Sequence, residues 1–366
     1  MLVPFNDLYA LHSDIMSELN DAFVSVVANS AFVGGRFVDE FESNFAEKIQ
    51  RKHCIGVGSG TAALFATFKM LGIADNDEVI LPANTFFACA EAISLCGAKP
   101  VFVDNDEYYN IDVRKITSKI TSNTKAVLAV HLYGQSCDIS VIQKICTINN
   151  LALIEDCSQA HFAKFNDKTI GTFGKLAIFS FYPGKNMGAL GDAGCIVTDD
   201  DDLAYKLRLF RNHGEYQKSK HQIIGFNTRL DGIQASMLNI KLKYIDGWNE
   251  KRRIAADHYS SLLKNCTFVE LPKVMEYNKH TYHLFVIKAQ KRNDLIAYLS
   301  KNNIGTGIHY PIALPSLSVY KNEGFTEDEF PNAISNQELI LSLPIYPSIS
   351  YQQIKFVCDK IIEFYS

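Results

Sequence analysis

The chain has 366 residues and a formal net charge of -4, with 47% hydrophobic and 21% charged residues. No charge excess points to nucleic acid or an anionic membrane surface, so a small-molecule function is the starting expectation. No uncharged apolar run reaches bilayer-spanning length, and the N-terminal MLVPFNDLYALHSDI lacks the basic start and apolar run of a secretory signal, so a cytoplasmic protein is expected.

Short apolar runs at 54–58, 78–81, 100–104, 126–131, 152–156, 177–181 and 195–198 read as strands covered on both faces. Segments of helical length between them, such as 61–71 and 89–96, imply an α/β fold, a mostly parallel seven-stranded sheet between helices. From Asp231 to about Leu263 the apolar residues Ile233, Met237, Ile240, Tyr244 and Trp248 fall on one stripe. That spacing predicts one helix roughly 50 Å long, leading out of the large domain. A large domain over 1–245 and a smaller α+β domain over 246–366 follow. The nine cysteines form no CxxC pair and the ten histidines no HExxH, so neither a disulfide framework nor a metal is expected. The cysteines read as small core residues.

In a parallel α/β sheet, ligands gather at the carboxyl ends of the strands. After the first strand, Gly58-Ser59-Gly60-Thr61 leads into the apolar run AALFATFKML, which offers free N–H groups to a phosphate or is simply an N-cap. It matches neither a P-loop nor GxGxxG. Asp156 ends the strand LALIED, where a carboxylate is costly unless it accepts local N–H groups or meets a cation. Phe86, in LPANTFF, either lies flat on a planar ligand or fills the core. Lys185, alone in FSFYPGKNMGALGDAG, is either a solvated surface lysine or an amine with a task. All four follow strands of one sheet and fit one ligand, pyridoxal 5'-phosphate, whose phosphate, ring nitrogen, flat ring and aldehyde need these partners. A lysine amine, ordinarily near 10.4, suits Schiff-base chemistry because burial lowers it readily. A carboxylate on the ring nitrogen keeps the ring an electron sink.

The segments VPFNDL, AFVGGRFVDEFESNFA, GSGTAAL, ANTFFACAEAI, VHLYGQ, EDCSQAH, FSFYPGKNMGALGDAG, RNHGEYQ, GFNTRLDGIQASML and YHLFVI occur in this order. Through them the chain resembles, over nearly its whole length, the DegT/StrS sugar-nucleotide aminotransferases, a branch of the fold-type I PLP-dependent transferases. The resemblance implies that Lys185 forms the Schiff base, Asp156 pairs with the ring nitrogen and Gln159 contacts the ring's 3-oxygen. It also implies that Gly60, Thr61 and Ser180 hold the phosphate and that Phe86 stacks on the ring. Asn227, in GFNTRLD, would reach the cofactor phosphate of a neighbouring subunit, which implies a homodimer with shared active sites. Read from the residues alone, Asn227 and Arg229 instead form a capping cluster ahead of the long helix, with Asp231 or Thr228 as the cap. Tyr182, Arg229, His309 and Tyr310 are expected on the substrate side.

The implied reaction moves an amino group from L-glutamate to a keto-sugar nucleotide. Family members acting at the sugar 4-position read TTGEGG after the lysine, whereas this chain reads GALGDAG, like the branch that aminates a dTDP-3-keto-6-deoxyhexose to a dTDP-3-amino-3,6-dideoxyhexose. The alternatives are a dTDP-4-keto-6-deoxyhexose aminotransferase and a non-catalytic PLP-binding regulatory protein. A related dehydratase branch carries His where this chain has Lys185, which disfavours that reading.

Overall fold

The computed structural model describes residues Met1–Ser366. Strands His53–Val57, Glu78–Pro82, Lys99–Val103, Thr124–Val130, Ala152–Asp156, Leu176–Ser180 and Gly194–Thr198 form one seven-stranded sheet. Their spatial order is 53–57, 194–198, 176–180, 152–156, 124–130, 78–82, 99–103. Gly194–Thr198 runs antiparallel to both of its neighbours, and the remaining pairings are parallel. Each expected strand is present to within two residues.

The near-continuous apolar runs follow from burial on both faces. Successive residues alternate sides of a strand, so Ala177 and Phe179 join a core with Phe41, Phe45 and Phe181. Ile178 joins a second core on the opposite face, with Val57, Leu81, Leu128 and Ile196. A third core, in the C-terminal part, gathers Tyr259, Leu263, Phe285, Leu341 and Val357 around an antiparallel sheet of Val269–Glu270, Phe285–Ala289 and Ile340–Leu343.

The single helix expected from Asp231 to Leu263 is two helices, Gly232–Lys241 and Ile245–Leu263. The N–H groups of Lys243 and Tyr244 donate to the carbonyls three residues back, Ile240 and Lys241, which tightens the chain between them. Past the break the buried positions are Ile245 and Trp248, and Tyr244, which continued the apolar stripe, is exposed. Lys241 turns inward and donates from Nζ to Gly188 O at 2.5 Å. Core membership changes within Ile245–Leu263, where Trp248 belongs to the first core and Ala255 to the third. Val3 crosses to the third core, and Leu314, Tyr320, Phe330 and Ala333 return to the second.

One buried carboxylate ties the middle of the sheet together. Glu155 accepts N–H groups from Gly171 (2.7 Å), Phe173 (2.8 Å) and Gly174 (2.7 Å), and lies 3.1 Å from His131 Nε2. Burial alone raises its pKa, but His131 and the N–H groups of Gly174 and Gly171 outweigh it and hold the carboxyl below its usual value. Cys157 joins His131 and Glu155 at metal-ligand spacing, yet the Glu155 oxygens are taken by these donors and His131 Nδ1 accepts the Cys137 N–H at 3.3 Å. Glu155→Ala leaves three N–H groups without an acceptor, those of Gly171 and Gly174 buried and that of Phe173 half-buried. It is expected to cost on the order of 3 kcal/mol, read as a lower urea midpoint.

Candidate active site

The turn bearing Lys185 begins where strand Leu176–Ser180 ends. The Lys185 N–H closes on Tyr182 O at 2.8 Å, and the Ala189 N–H returns to Phe181 O at 2.7 Å. Between them Asn186 donates to Asn249 Oδ1 and Thr281 O, both at 2.9 Å, and its own oxygen lies 3.2 Å from His283 Nδ1. A Cβ at Gly188 would stand 2.2 Å from Pro183 O, so only glycine lets the loop close on itself. The loop is therefore fixed from both sides of the lysine.

Lys185 itself is half-buried. Burial pushes its amine down to about 8, while Asp156 and Cys89 pull it back upward. No hydrogen bond or ion pair within the chain engages Nζ, so the amine is free to react. Around it stand imidazoles held neutral by burial first and by the Lys185 charge second. His161 is pushed to about 3 and His309 to about 4, and His283 falls well below its usual value. His161 packs on Phe179 and Phe181 with neither ring nitrogen hydrogen-bonded.

Asp156 is buried at the end of its strand. Its Oδ1 accepts the Ser158 N–H at 2.9 Å, and its Oδ2 lies 3.3 Å from Cys89 Sγ. The local reading of Asp156 therefore holds, and no cation of the chain pairs with it. Gln159 accepts the Tyr133 N–H at 2.8 Å and donates to Tyr310 Oη at 3.0 Å, and the Tyr133 hydroxyl donates to His309 O. Gln159, Tyr310 and His309 are thus one connected group. The Phe86 ring lies 5.7 Å from that of Tyr310 and is 53% exposed, which excludes the core-filling reading.

Helix Gly60–Met70 is capped by Ser59, whose Oγ accepts the Ala62 N–H at 3.1 Å. The N–H groups of Gly60 and Thr61 find no acceptor in the chain, as the geometry of a helix start requires. A Cβ at Gly60 would meet Ser180 Cβ at 2.6 Å, and one at Gly194 would meet Ser59 O at 2.6 Å. The helix start, Ser180 and strand Gly194–Thr198 thus meet in one tight cradle.

Three expected residues lie outside this group in the single chain. Asn227 is exposed and its side chain has no partner, although the next residue's carbonyl, Thr228 O, accepts the Gly58 N–H at 3.0 Å beside the cradle. Arg229 donates to Asn212 Oδ1 at 2.8 Å. Tyr182 is exposed beside Ser180. The capping cluster is not formed: Asp231 precedes the helix without a side-chain cap bond, and the Thr228 hydroxyl accepts from Gly58 N instead. Sequence reasoning missed Asn84, Cys89, His161 and His283. Asn84 is buried with both amide atoms unpartnered, and the Thr85 to Cys89 spacing of one helical turn was the available signal for Cys89.

The orphaned Asn84 amide, the free amine of Lys185, the unpaired N–H groups of Gly60 and Thr61 and the open carboxylate of Asp156 fit pyridoxal phosphate in charge and in kind. The fold is that of the fold-type I enzymes that use this cofactor for amino transfer. The chain belongs to the DegT/DnrJ/EryC1/StrS aminotransferase family, which residues 13–362 match, and it is a PLP-dependent sugar aminotransferase. It is 42% identical to the dTDP-3-amino-3,6-dideoxy-alpha-D-galactopyranose transaminase of Aneurinibacillus thermoaerophilus, over 98% of this chain and 99% of the relative. It is 39% identical to a Geobacillus stearothermophilus protein named pleiotropic regulatory protein, over 100% and 99%. The solved structure of S. venezuelae DesV in complex with a ketimine intermediate has a TM-score of 0.97 and 37% identity, covering 99% of this chain and 98% of that one. No helix is long and apolar enough to cross a membrane.

Two outcomes follow from this geometry. In cofactor-free protein the free-amine fraction of Lys185 rises with pH through about 8 rather than 10.5, so the rate of labelling by an aldehyde reagent should climb around pH 8; an inflection near 10 would contradict the site. Gly60→Ala should weaken cofactor retention at least about tenfold, followed by visible absorbance during dialysis, because the added methyl intrudes on Ser180.

Proposed function

We propose that the enzyme transfers an amino group from L-glutamate to a dTDP-3-keto-6-deoxyhexose, giving a dTDP-3-amino-3,6-dideoxyhexose, at sites shared across a homodimer. The observation that carries the reaction type is the free, low-titrating amine of Lys185 opposite Asp156. The choice of sugar rests on the GALGDAG loop and on the likeness to the Aneurinibacillus transaminase.

Pyridoxal phosphate supplies a carbonyl that takes up the amino group and a ring that accepts the electron pair left when a C–H bond breaks. Lys185 would hold the cofactor at its carbonyl carbon, and its amine, once free, would take the proton from the donor's α-carbon. In the second half of the cycle the same amine would deliver a proton to the sugar carbon being aminated. Asp156 would pair with the ring nitrogen. Gln159, fixed by Tyr133 and Tyr310, would meet the ring's oxygen side, and Phe86 would cover its face. Gly60, Thr61 and Ser180 would bind the phosphate, and Tyr182, Arg229, His309 and Tyr310 would meet the substrate. The order is ping-pong, because the cofactor carries the amino group between substrates.

The dimer reading is supported by an exposed apolar edge next to the site. The Gly232 N–H donates to Phe32 O, and the Leu190 N–H to Gln234 Oε1. These bonds bring exposed Phe32, Val33 and Leu190 to the start of helix Gly232–Lys241, and Ile224, Phe226 and the unpartnered Asn227, a few residues earlier in the chain, are exposed as well. Exposed apolar residues such as Phe32, Val33 and Leu190 are of the kind an interface would cover.

The name of the Geobacillus relative favours a second reading, regulation without catalysis. The purified protein is expected to be yellow and to bleach on addition of glutamate; colour that persists would favour the regulatory reading. Incubation with glutamate and either the 3-keto or the 4-keto dTDP-6-deoxyhexose is expected to aminate the 3-keto sugar, and amination of the 4-keto sugar alone would overturn the substrate assignment. Lys185→Ala should lower turnover at least about a thousandfold, measured as 2-oxoglutarate release.

A further inference from the structure

We propose that Cys89 is a positioning residue for amino transfer, its thiol donating to Asp156 Oδ2 so that this carboxylate stays aimed at the cofactor's ring nitrogen. The proposal rests on the role given to Asp156 above.

Cys89 stands in the first turn of helix Ala88–Leu95 and is 1% exposed. Its Sγ lies 3.3 Å from Asp156 Oδ2 and 3.6 Å from Thr85 Oγ1, within the reach of sulfur hydrogen bonds. A carboxylate only accepts, so the thiol hydrogen points at Asp156, and the Thr85 hydroxyl is left to donate to the sulfur. The chain of donors therefore runs from Thr85 through Cys89 to Asp156. Ser158 N–H holds the other carboxylate oxygen at 2.9 Å. Asp156 is thus steadied at both oxygens by neutral groups from two different elements, and no cation of the chain pairs with it.

The identity of the donor matters as much as its place. A guanidinium or ammonium in this position would neutralise the carboxylate and compete with the ring nitrogen for it. A thiol is a weak donor, so it fixes direction while leaving the negative charge for the ligand. Burial first, and then the charge of Asp156, push the thiol well above its usual value. It therefore keeps its hydrogen, and keeps donating, across the pH range in which Lys185 titrates. Cys146, with no carboxylate beside it, is raised by burial alone.

The test compares Cys89→Ala, Cys89→Ser and Asp156→Asn as full-length proteins reconstituted with pyridoxal phosphate. The readouts are the cofactor's dissociation constant, the absorbance-monitored pKa of the Lys185-bound chromophore, and kcat and KM for glutamate. Cys89→Ala is expected to weaken cofactor binding about fivefold, to raise the chromophore pKa because the ring nitrogen is less well paired, and to lower kcat more than it changes KM. Cys89→Ser, which keeps a donor, is expected to restore these values to within about twofold of the parent. A Cys89→Ala protein that loses only thermal stability, with dissociation constant and chromophore pKa unchanged, would reduce Cys89 to packing and overturn the proposal. If Asp156→Asn also leaves both unchanged, it is the role of Asp156 that fails; if Asp156→Asn disturbs them and Cys89→Ala does not, only the proposal for Cys89 fails.

Discussion

The site depends on how strand Ala152–Asp156 ends. Two carboxylates stand side by side there, and the two-residue period of a strand sends them to opposite faces. Glu155 is buried, and it survives because three N–H groups and His131 surround it. That arrangement ties the loop 171–174 to the sheet and fixes the strand's exit, which leaves Asp156 with a single well-defined direction. A buried carboxylate missing one of those donors would be a large cost. Supplied with all of them, it is an anchor. The chemistry of Asp156 is possible because its neighbour's charge is fully satisfied elsewhere.

Lys185 presents the complementary problem. A half-buried amine without a partner is held in place by what surrounds it rather than by anything it binds. Asn186 is fastened to Asn249, Thr281 and His283, and the carbonyl of Gly188 accepts from Lys241. Neutral imidazoles nearby add no charge that would oppose proton uptake or release at the amine. The fastened loop and the unpaired Nζ are two aspects of one design, in which positioning comes from backbone and amide contacts and reactivity from the absence of an ion pair.

Much of this was legible in the chain itself, for identifiable reasons. The seven strands showed because both faces of the sheet are covered, which makes their runs apolar almost throughout. Asp156 and Lys185, each with an ordinary local or surface reading when taken singly, stood out only together with the Gly-Ser-Gly-Thr turn and Phe86, because all four follow strands of one sheet. The long helix misled because apolar spacing of three and four carries across a tight break almost unchanged, and only the exposure of Tyr244 and burial of Ile245 reveal the shift. Phe86 was undecidable from composition, since an aromatic residue after a strand serves a core and a ligand face equally well.

The order of strands and turns, and the residue types at their carboxyl ends, determined the class of fold and the chemistry available, because period-two and period-three-to-four patterns and unpaired charges are local properties that a chain carries on its surface of symbols. What only tertiary structure decided is which groups meet. That Cys89 reaches Asp156 across 67 positions, that Gln159 meets Tyr310 across 151, and that Thr228 accepts from Gly58 instead of capping the helix that follows it are consequences of sheet order and crossover. Distances between residues remote in sequence are set by the packing of whole elements, which no local pattern encodes.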